Sequence, residues 1–256
     1  MDGNFTREDA KKQLSGGGLS LFWYDTLDST NSEAKRCAAE LPLPAVLVCD
    51  TQSAGRGRMG RSFFSPHATG LYFSYLTDRS APEETVGLTA AAAVATARAI
   101  RRVTGVETEI KWVNDLLLRG KKVAGILCER FAAAGRLFTV VGIGINLATA
   151  EDDFPEELRR KAGSLGVDED VRPQLVAALA EELHALLCAL PNRSFMVEYR
   201  ARSAVLGRRV RYTVNGRTFE GMAARIDDDG ALCVETDGQA VRLASGEISL
   251  SYEDLR

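Results

Sequence analysis

The 256-residue sequence predicts an α+β protein, a large mixed domain followed by a small β domain. Two patterns and the length lead there. Residues 19–147 interleave strand-like and helical runs without a regular βαβ repeat, which speaks against a doubly wound parallel sheet. From Val205 onward, short alternating segments are separated by Asn215-Gly216, Asp227-Asp228-Asp229-Gly230 and Asp237-Gly238, the turn chemistry of antiparallel hairpins. The length exceeds what one small core needs. The expected division is a polar leader at 1–19, a main domain at 20–204 and a β domain of about five strands at 205–256, docked on the main one.

Residues 19–24 read as the first strand. Thr30 and Glu33 have the spacing of a capping box ahead of Ala34, Cys37, Ala38 and Leu41, so a helix is expected to start there. Residues 45–49 and 71–76 are apolar runs suited to buried strands, with the polar, glycine-rich stretch 50–65 between them. The alanine-rich segment 86–103 reads as a helix, and 109–112, 122–130 and 137–147 as further strands. An acidic loop with a short helix spans 149–171, and Pro173 then sits at a helix start. Val176, Leu179, Leu183, Leu186, Leu187 and Leu190 recur at helical spacing and should pack on the main domain. His184 in that helix, and His67 beside Pro66, have no partners in sequence that suggest catalysis and read as structural.

A composition 45% hydrophobic and 26% charged is that of a soluble globular protein. The net charge of -3 provides no general field for nucleic acid, and no nucleic-acid partner is expected. Five cysteines, Cys37, Cys49, Cys128, Cys188 and Cys233, form no CxxC pair and read as reduced, mostly buried thiols of a cytoplasmic protein. No secretory signal opens the chain, and the longest apolar run, 88–97, is far short of the roughly 20 residues that span a bilayer. No membrane association is expected.

Three segments carry chemistry. Gly55-Arg56-Gly57-Arg58-Met59-Gly60-Arg61 packs three arginines and three glycines into seven residues. Guanidinium forks pair with phosphate or carboxylate, and glycine lets the backbone approach a ligand. Mutual repulsion of the arginines predicts a loop that is mobile until an anion arrives. Phe63-Phe64 follows and offers an aromatic face. In Lys111-Trp112-Val113-Asn114-Asp115, followed by Gly120-Lys121-Lys122, the spacing suggests a hairpin, with Lys111 able to place one fixed charge in a cleft. Gly142-Ile143-Gly144-Ile145-Asn146 is a strand whose glycines suit either close packing or a ligand wall. No Ser/His/Asp set, paired catalytic carboxylates or metal-ligand cluster can be assembled, so the nucleophile should come from the substrate.

Taken in order, Asp28-Ser29-Thr30-Asn31, Gln52-Ser53-Ala54 with the arginine-glycine loop, Lys111-Trp112-Val113-Asn114-Asp115, Val123-Ala124-Gly125-Ile126-Leu127 and Gly142-Ile143-Gly144-Ile145-Asn146 resemble the biotin protein ligase family. The resemblance is strong over 20–150, and the C-terminal segment ending in Ser245-Gly246-Glu247-Ile248-Ser249-Leu250 is similar to the family's SH3-like domain. It implies a mixed-sheet catalytic domain like that of class II aminoacyl-tRNA synthetases, in a short form without an N-terminal DNA-binding domain. Biotin would be the substrate, ATP and Mg2+ the cofactors, and a biotin carboxyl carrier protein the partner, a subunit of acetyl-CoA carboxylase or of another biotin-dependent carboxylase. A monomer or weak homodimer is expected.

By the same resemblance Ser29, Thr30, Asn31 and Gln52 meet the biotin head, with Gly125 alongside. Arg56, Gly57 and Arg58 close over biotin and its adenylate, while Arg61, Phe63, Asn114 and Asn146 meet ATP. Lys111 and Arg58 are the implied catalytic cations, and no residue is assigned to the metal. The chain departs from the family at Val113, where proline is common, and at Phe63, where tryptophan is common. The first substitution is expected to loosen the turn before Asn114, and the second to reduce stacking area. Lipoate or octanoate ligases are the nearest enzymatic alternative, disfavoured by the polar Ser-Thr-Asn set. A biotin-sensing transcriptional regulator is the alternative of another class, disfavoured because roughly 20 residues precede the first strand and cannot hold a recognition module.

Overall fold

A computed structural model describes residues 5–79, 85–190, 192–214, 216–236, 238–244, 246 and 248–250. Asn215 and Asp237 of the expected turns, and Ser245 and Glu247 of the C-terminal motif, lie outside the described residues. β1 (Ser20–Leu27), β2 (Ala45–Gln52), β3 (Gly70–Thr77), β4 (Glu109–Lys111), β5 (Asp115–Leu118), β6 (Lys121–Ala133) and β7 (Arg136–Asn146) make one sheet, ordered β1-β2-β3-β7-β6-β5-β4. Only β1 and β2 are parallel neighbours, so the sheet is mixed, as expected. The hairpin expected after Lys111 is β4–β5, and β6 extends it through the turn at Gly120.

Strand alternation sends Leu71, Phe73 and Tyr75 of β3 to one face of the sheet and Tyr72, Ser74 and Leu76 to the other. The first face is covered by α3 (Thr85–Thr104) and α5 (Arg172–Cys188), with α1 (Arg7–Gly16) against α5. Val176, Leu179 and Leu183 are buried there, as their spacing predicts. The second face has much thinner cover. Its helix α2 (Thr30–Cys37) places Ala34 and Ala38 on Ala45, Leu47, Leu76, Phe138 and Val140. Eight residues reach only part of that face, and the stretch around Ser74, Gly142 and Gly144 is where polar groups collect.

The leader is not merely polar. Thr6 and Asp9 form a capping box, with Thr6 N–H donating to Asp9 Oδ2 at 2.9 Å and Asp9 N–H to Thr6 Oγ1 at 3.2 Å. Ala10 and Leu14, one helical turn apart, are buried in the main core. Arg7 at the head of this helix, Trp23 on β1 and Arg172 on α5 all donate to Asp50, at 2.6, 3.0 and 3.3 Å. Asp50→Ala should remove the acceptor shared by Arg7, Trp23 and the half-buried Arg172 and cost about 2–3 kcal/mol. In a chain this long that predicts a Tm lower by roughly 5–10 °C in calorimetry, and an unchanged Tm would contradict it.

The short α4 (Glu156–Arg159) and α6 (Phe195–Ala201) precede β8 (Arg209–Val214), β9 (Arg217–Ile226), β10 (Leu232–Thr236), β11 (Gln239–Leu243) and β12 (Ile248–Leu250). These five strands form an antiparallel sheet ordered β11-β10-β9-β8-β12, the last returning to pair with the first. Trp112 Nε1 donates to Gly230 O at 2.9 Å, and Val210, Ala223 and Ile226 share the main core cluster, so the β domain docks as expected. His184 bonds Tyr75 Oη through Nδ1 at 2.7 Å, and burial lowers its pKa, in keeping with a structural role. All five cysteines are free, but only Cys49 and Cys233 are buried, Cys37 and Cys128 being half-buried and Cys188 exposed. No described helix is long and apolar enough to cross a membrane.

Candidate active site

A small cleft, lined by polar and apolar side chains, opens on the thinly covered face. Its lining includes Ser29, Thr30, Asn31, Gln52, Arg56, Gly57, Arg58, Phe63, Asn114 and Gly125, ten residues read from sequence. Ser29, Thr30 and Asn31 are each 3% exposed, so their polar groups need partners. The expected Thr30–Glu33 capping box does not form. Ser29 is the N-cap without a side-chain bond, Thr30 N–H donates instead to Gln52 Oε1 at 2.8 Å, and Glu33 pairs with Arg36.

A hydrogen-bond chain continues from there. Ser74 Oγ lies 2.7 Å from Thr30 Oγ1 and 2.6 Å from Asn31 Oδ1, and Gln52 Nε2 donates to Ser65 Oγ at 3.0 Å. Asn31 Nδ2 spends both hydrogens, on Leu127 O at 3.3 Å and Glu129 Oε2 at 2.9 Å. Counting donors and lone pairs leaves one acceptor site on Asn31 Oδ1 and one N–H on Gln52 for a ligand. Such a pocket reads a neutral group that carries both N–H and C=O.

The glycines of β7 make room for these side chains. A β carbon at Gly142 would lie 2.3 Å from Asn31 Oδ1, and one at Gly144 2.5 Å from the Phe63 ring. The Phe63 ring meets Tyr72 edge-on at 6.4 Å, so the aromatic wall survives without tryptophan.

The arginine-glycine loop is tied back on itself by backbone hydrogen bonds. Phe63 N–H bonds Gly55 O at 2.9 Å, Gly57 N–H bonds Arg61 O at 2.7 Å, and Met59 and Gly60 turn the chain with φ of 55° and 74°. Repulsion is avoided because the arginines diverge. Arg58 Nη1 reaches Asn114 Oδ1 at 3.0 Å and Gly246 O of the β domain at 3.2 Å, whereas Arg56 and Arg61 are solvent-exposed. Around Val113 the turn before Asn114 is held by Tyr199 Oη donating to Val113 O, Asn114 Nδ2 to Ile126 O and Ile126 N–H to Asn114 O.

The cation over the cavity floor is Lys122. Its Nζ would sit 3.0 Å from a β carbon at Gly125, and it pairs with Asp115 Oδ1 at 2.7 Å.

The sequence profile of the Biotin/lipoate A/B protein ligase family matches residues 23–146, and that of the Biotin protein ligase C terminal domain matches residues 205–251. The biotin--[acetyl-CoA-carboxylase] ligase of Mycobacterium tuberculosis is 33% identical over 254 residues, which cover 93% of this chain and 92% of that protein. The chain belongs to the biotin protein ligase family. The bifunctional ligase/repressor BirA of Bacillus subtilis is 35% identical to this ligase across 91% of its chain and 74% of the relative's. A solved Aquifex aeolicus biotin protein ligase in complex with biotin and ATP superposes with a TM-score of 0.75 at 28% identity, covering 90% of this ligase and 98% of that chain.

Three assignments carried over by motif are not met by the ligase's cavity. Lys111 does not line it. It lies on the edge strand β4, and the next strands of the meander bring Lys122 over the floor instead. Asn146, at the end of β7, turns its Nδ2 onto Gly163 O at 2.9 Å and serves the 163–166 turn. Arg61 lines an outer groove with Met59 and Glu129. Ser74 and Lys122 were the residues missed. The one signal for Ser74 was a lone hydroxyl inside the apolar run Leu71-Tyr72-Phe73-Ser74-Tyr75-Leu76.

Proposed function

We propose that this ligase condenses biotin with ATP to biotinyl-5'-AMP and pyrophosphate, then passes the biotinyl group to a lysine of a biotin carboxyl carrier protein, a subunit of acetyl-CoA carboxylase or of a related biotin-dependent carboxylase. The observation that carries this reading is the pairing of one spare acceptor on Asn31 with one spare donor on Gln52 in a pocket that Lys122 and Arg58 also line. A ureido head has the matching C=O and N–H groups. Its valeryl chain runs past Gly125 toward Lys122, which orients the carboxylate as one of its oxygens attacks the α-phosphorus and the bond to pyrophosphate breaks. Lys122 and Arg58 face the charge that shifts among these oxygens, which is where fixed cations contribute most. Phe63 offers a ring to the adenosine, and Asn114 holds Arg58 in place.

In the second step the acceptor amine attacks the acyl carbon, loses its proton to solvent, and AMP departs with the bonding pair of the anhydride. The acceptor supplies the nucleophile, which accounts for a site without a triad. Among the described residues no three His, Cys, Asp or Glu side chains gather to cage a cation, and Glu129 and Asp115 are engaged by Lys35 and Lys122. Magnesium, bound with ATP, would supply charge neutralisation at the phosphates beside Lys122 and Arg58. The setting we propose is the cytoplasm, with the ligase a monomer or weak homodimer, the oligomeric state being measurable by light scattering with and without biotin.

Mass spectrometry of a purified carrier domain after incubation with the ligase, MgATP and biotin should show one biotinyl adduct on one lysine. A carrier modified only when lipoate or octanoate replaces biotin would overturn the reading.

A further inference from the structure

Asn31 reads its ligand through whichever amide atom faces the cavity, and a side-chain amide can be turned end for end at small steric cost. What prevents the turn lies one layer away. Nδ2 faces two groups that only accept, Leu127 O at 3.3 Å and the carboxylate oxygen Glu129 Oε2 at 2.9 Å. The other oxygen of that carboxylate, Oε1, pairs with Lys35 Nζ at 2.6 Å. Reversing Asn31 would set its oxygen against both acceptors. Glu129 lines the outer groove beside Arg56 and Arg61 rather than the cavity, so its effect on a ligand passes through Asn31.

We infer that Glu129, oriented by Lys35, is a positioning residue that sets the ligase's specificity for a ureido N–H by locking Asn31 with its oxygen toward the cavity. This rests on the biotin reading above. The ion pair gives the inference a sharp consequence. In Glu129→Gln the new amide has one oxygen and one NH2 for the two positions now filled by oxygens. Lys35 can only donate, so it takes the oxygen, and the NH2 is turned on Asn31. With a donor at 129 and Leu127 O still accepting, neither orientation of Asn31 satisfies both neighbours, so the lock is lost and the reversed amide, now populated, points an N–H donor at the ureido N–H. An isosteric change outside the cavity thereby replaces attraction with opposition inside it.

The test uses the full chain and pyrophosphate release with biotin and MgATP. Glu129→Gln is expected to raise KM for biotin about 10- to 100-fold with kcat changed much less, the size of one lost and one opposed hydrogen bond. It should also stop distinguishing biotin from an analogue methylated at the ureido nitrogen, which the parent should reject. In Lys35→Ala/Glu129→Gln the amide at 129 is released to turn its oxygen back to Asn31, so KM should recover most of the way to the parent value. General damage to the fold would make the double variant as poor as the single, and that result overturns the inference, as does a KM for Glu129→Gln within twofold of the parent. A parent protein that releases no pyrophosphate with biotin defeats instead the reading on which the inference rests.

Discussion

Pyrophosphate release is expected to fall about 100- to 1,000-fold in Lys122→Met, because a fixed charge facing developing charge in a sheltered site contributes several kcal/mol to the transition state. Methionine keeps the aliphatic stem over Gly125 and removes the ammonium. The loss should appear in kcat more than in KM for biotin, since the head pocket of Thr30, Asn31 and Gln52 is untouched. Lys111→Met, on the edge strand outside the cavity, should remain near the parent rate. If Lys111→Met is the variant that loses adenylation while Lys122→Met retains it, the placement of the cation is wrong.

The contrast between these two lysines shows what the sequence could and could not tell. The strands around them were legible from apolar alternation, and the arginine-glycine loop, the Ser-Thr-Asn start of α2 and Gly125 were legible as parts of one site because they stand in family order. Which lysine enters the cavity is a question of register. The β5–β6 pairing slips between Leu116 and Leu117, and a one-residue slip exchanges the faces of a strand. Neighbouring Lys121 pairs with Glu151 while Lys122 pairs with Asp115, a difference that no local pattern in Gly120-Lys121-Lys122 reveals. The capping box at Thr30 failed for a related reason. A distant glutamine on β2 claims the groups that a local cap would use, and tertiary partners override local preference. The leader helix was readable. Thr6 and Asp9 with Ala10 and Leu14 one turn apart carry a cap and a buried stripe, a short signal easily lost in a segment with five charged residues from Arg7 to Lys12. Docking of the β domain was foreseen only in outline, because the contacts of Trp112 with Gly230 and of Arg58 with Gly246 join residues over a hundred positions apart.

Gly142→Ala should raise KM for biotin more than 100-fold, about the loss expected when a buried polar site can no longer pair with its ligand. The added carbon would lie 2.3, 2.8 and 2.9 Å from the oxygen, carbon and nitrogen of the Asn31 amide. All three distances are below what real contacts show, so one side must yield. β7 is held between β3 and β6 in the centre of the sheet and cannot retreat. Asn31 is the movable partner, yet leaving breaks its bonds to Ser74, Leu127 and Glu129 and takes its free acceptor site out of the cavity. The variant should also unfold at a lower temperature, because the Ser74 hydroxyl, fully buried, is left with Thr30 as its remaining partner. A double-mutant cycle separates the clash from any general effect on the strand. Asn31→Ala alone should weaken biotin binding, but adding Gly142→Ala to it should cost little more, since the atoms that collide are gone. Additive losses in KM across that cycle would mean that Gly142 acts through the backbone of β7 and not by making room for Asn31.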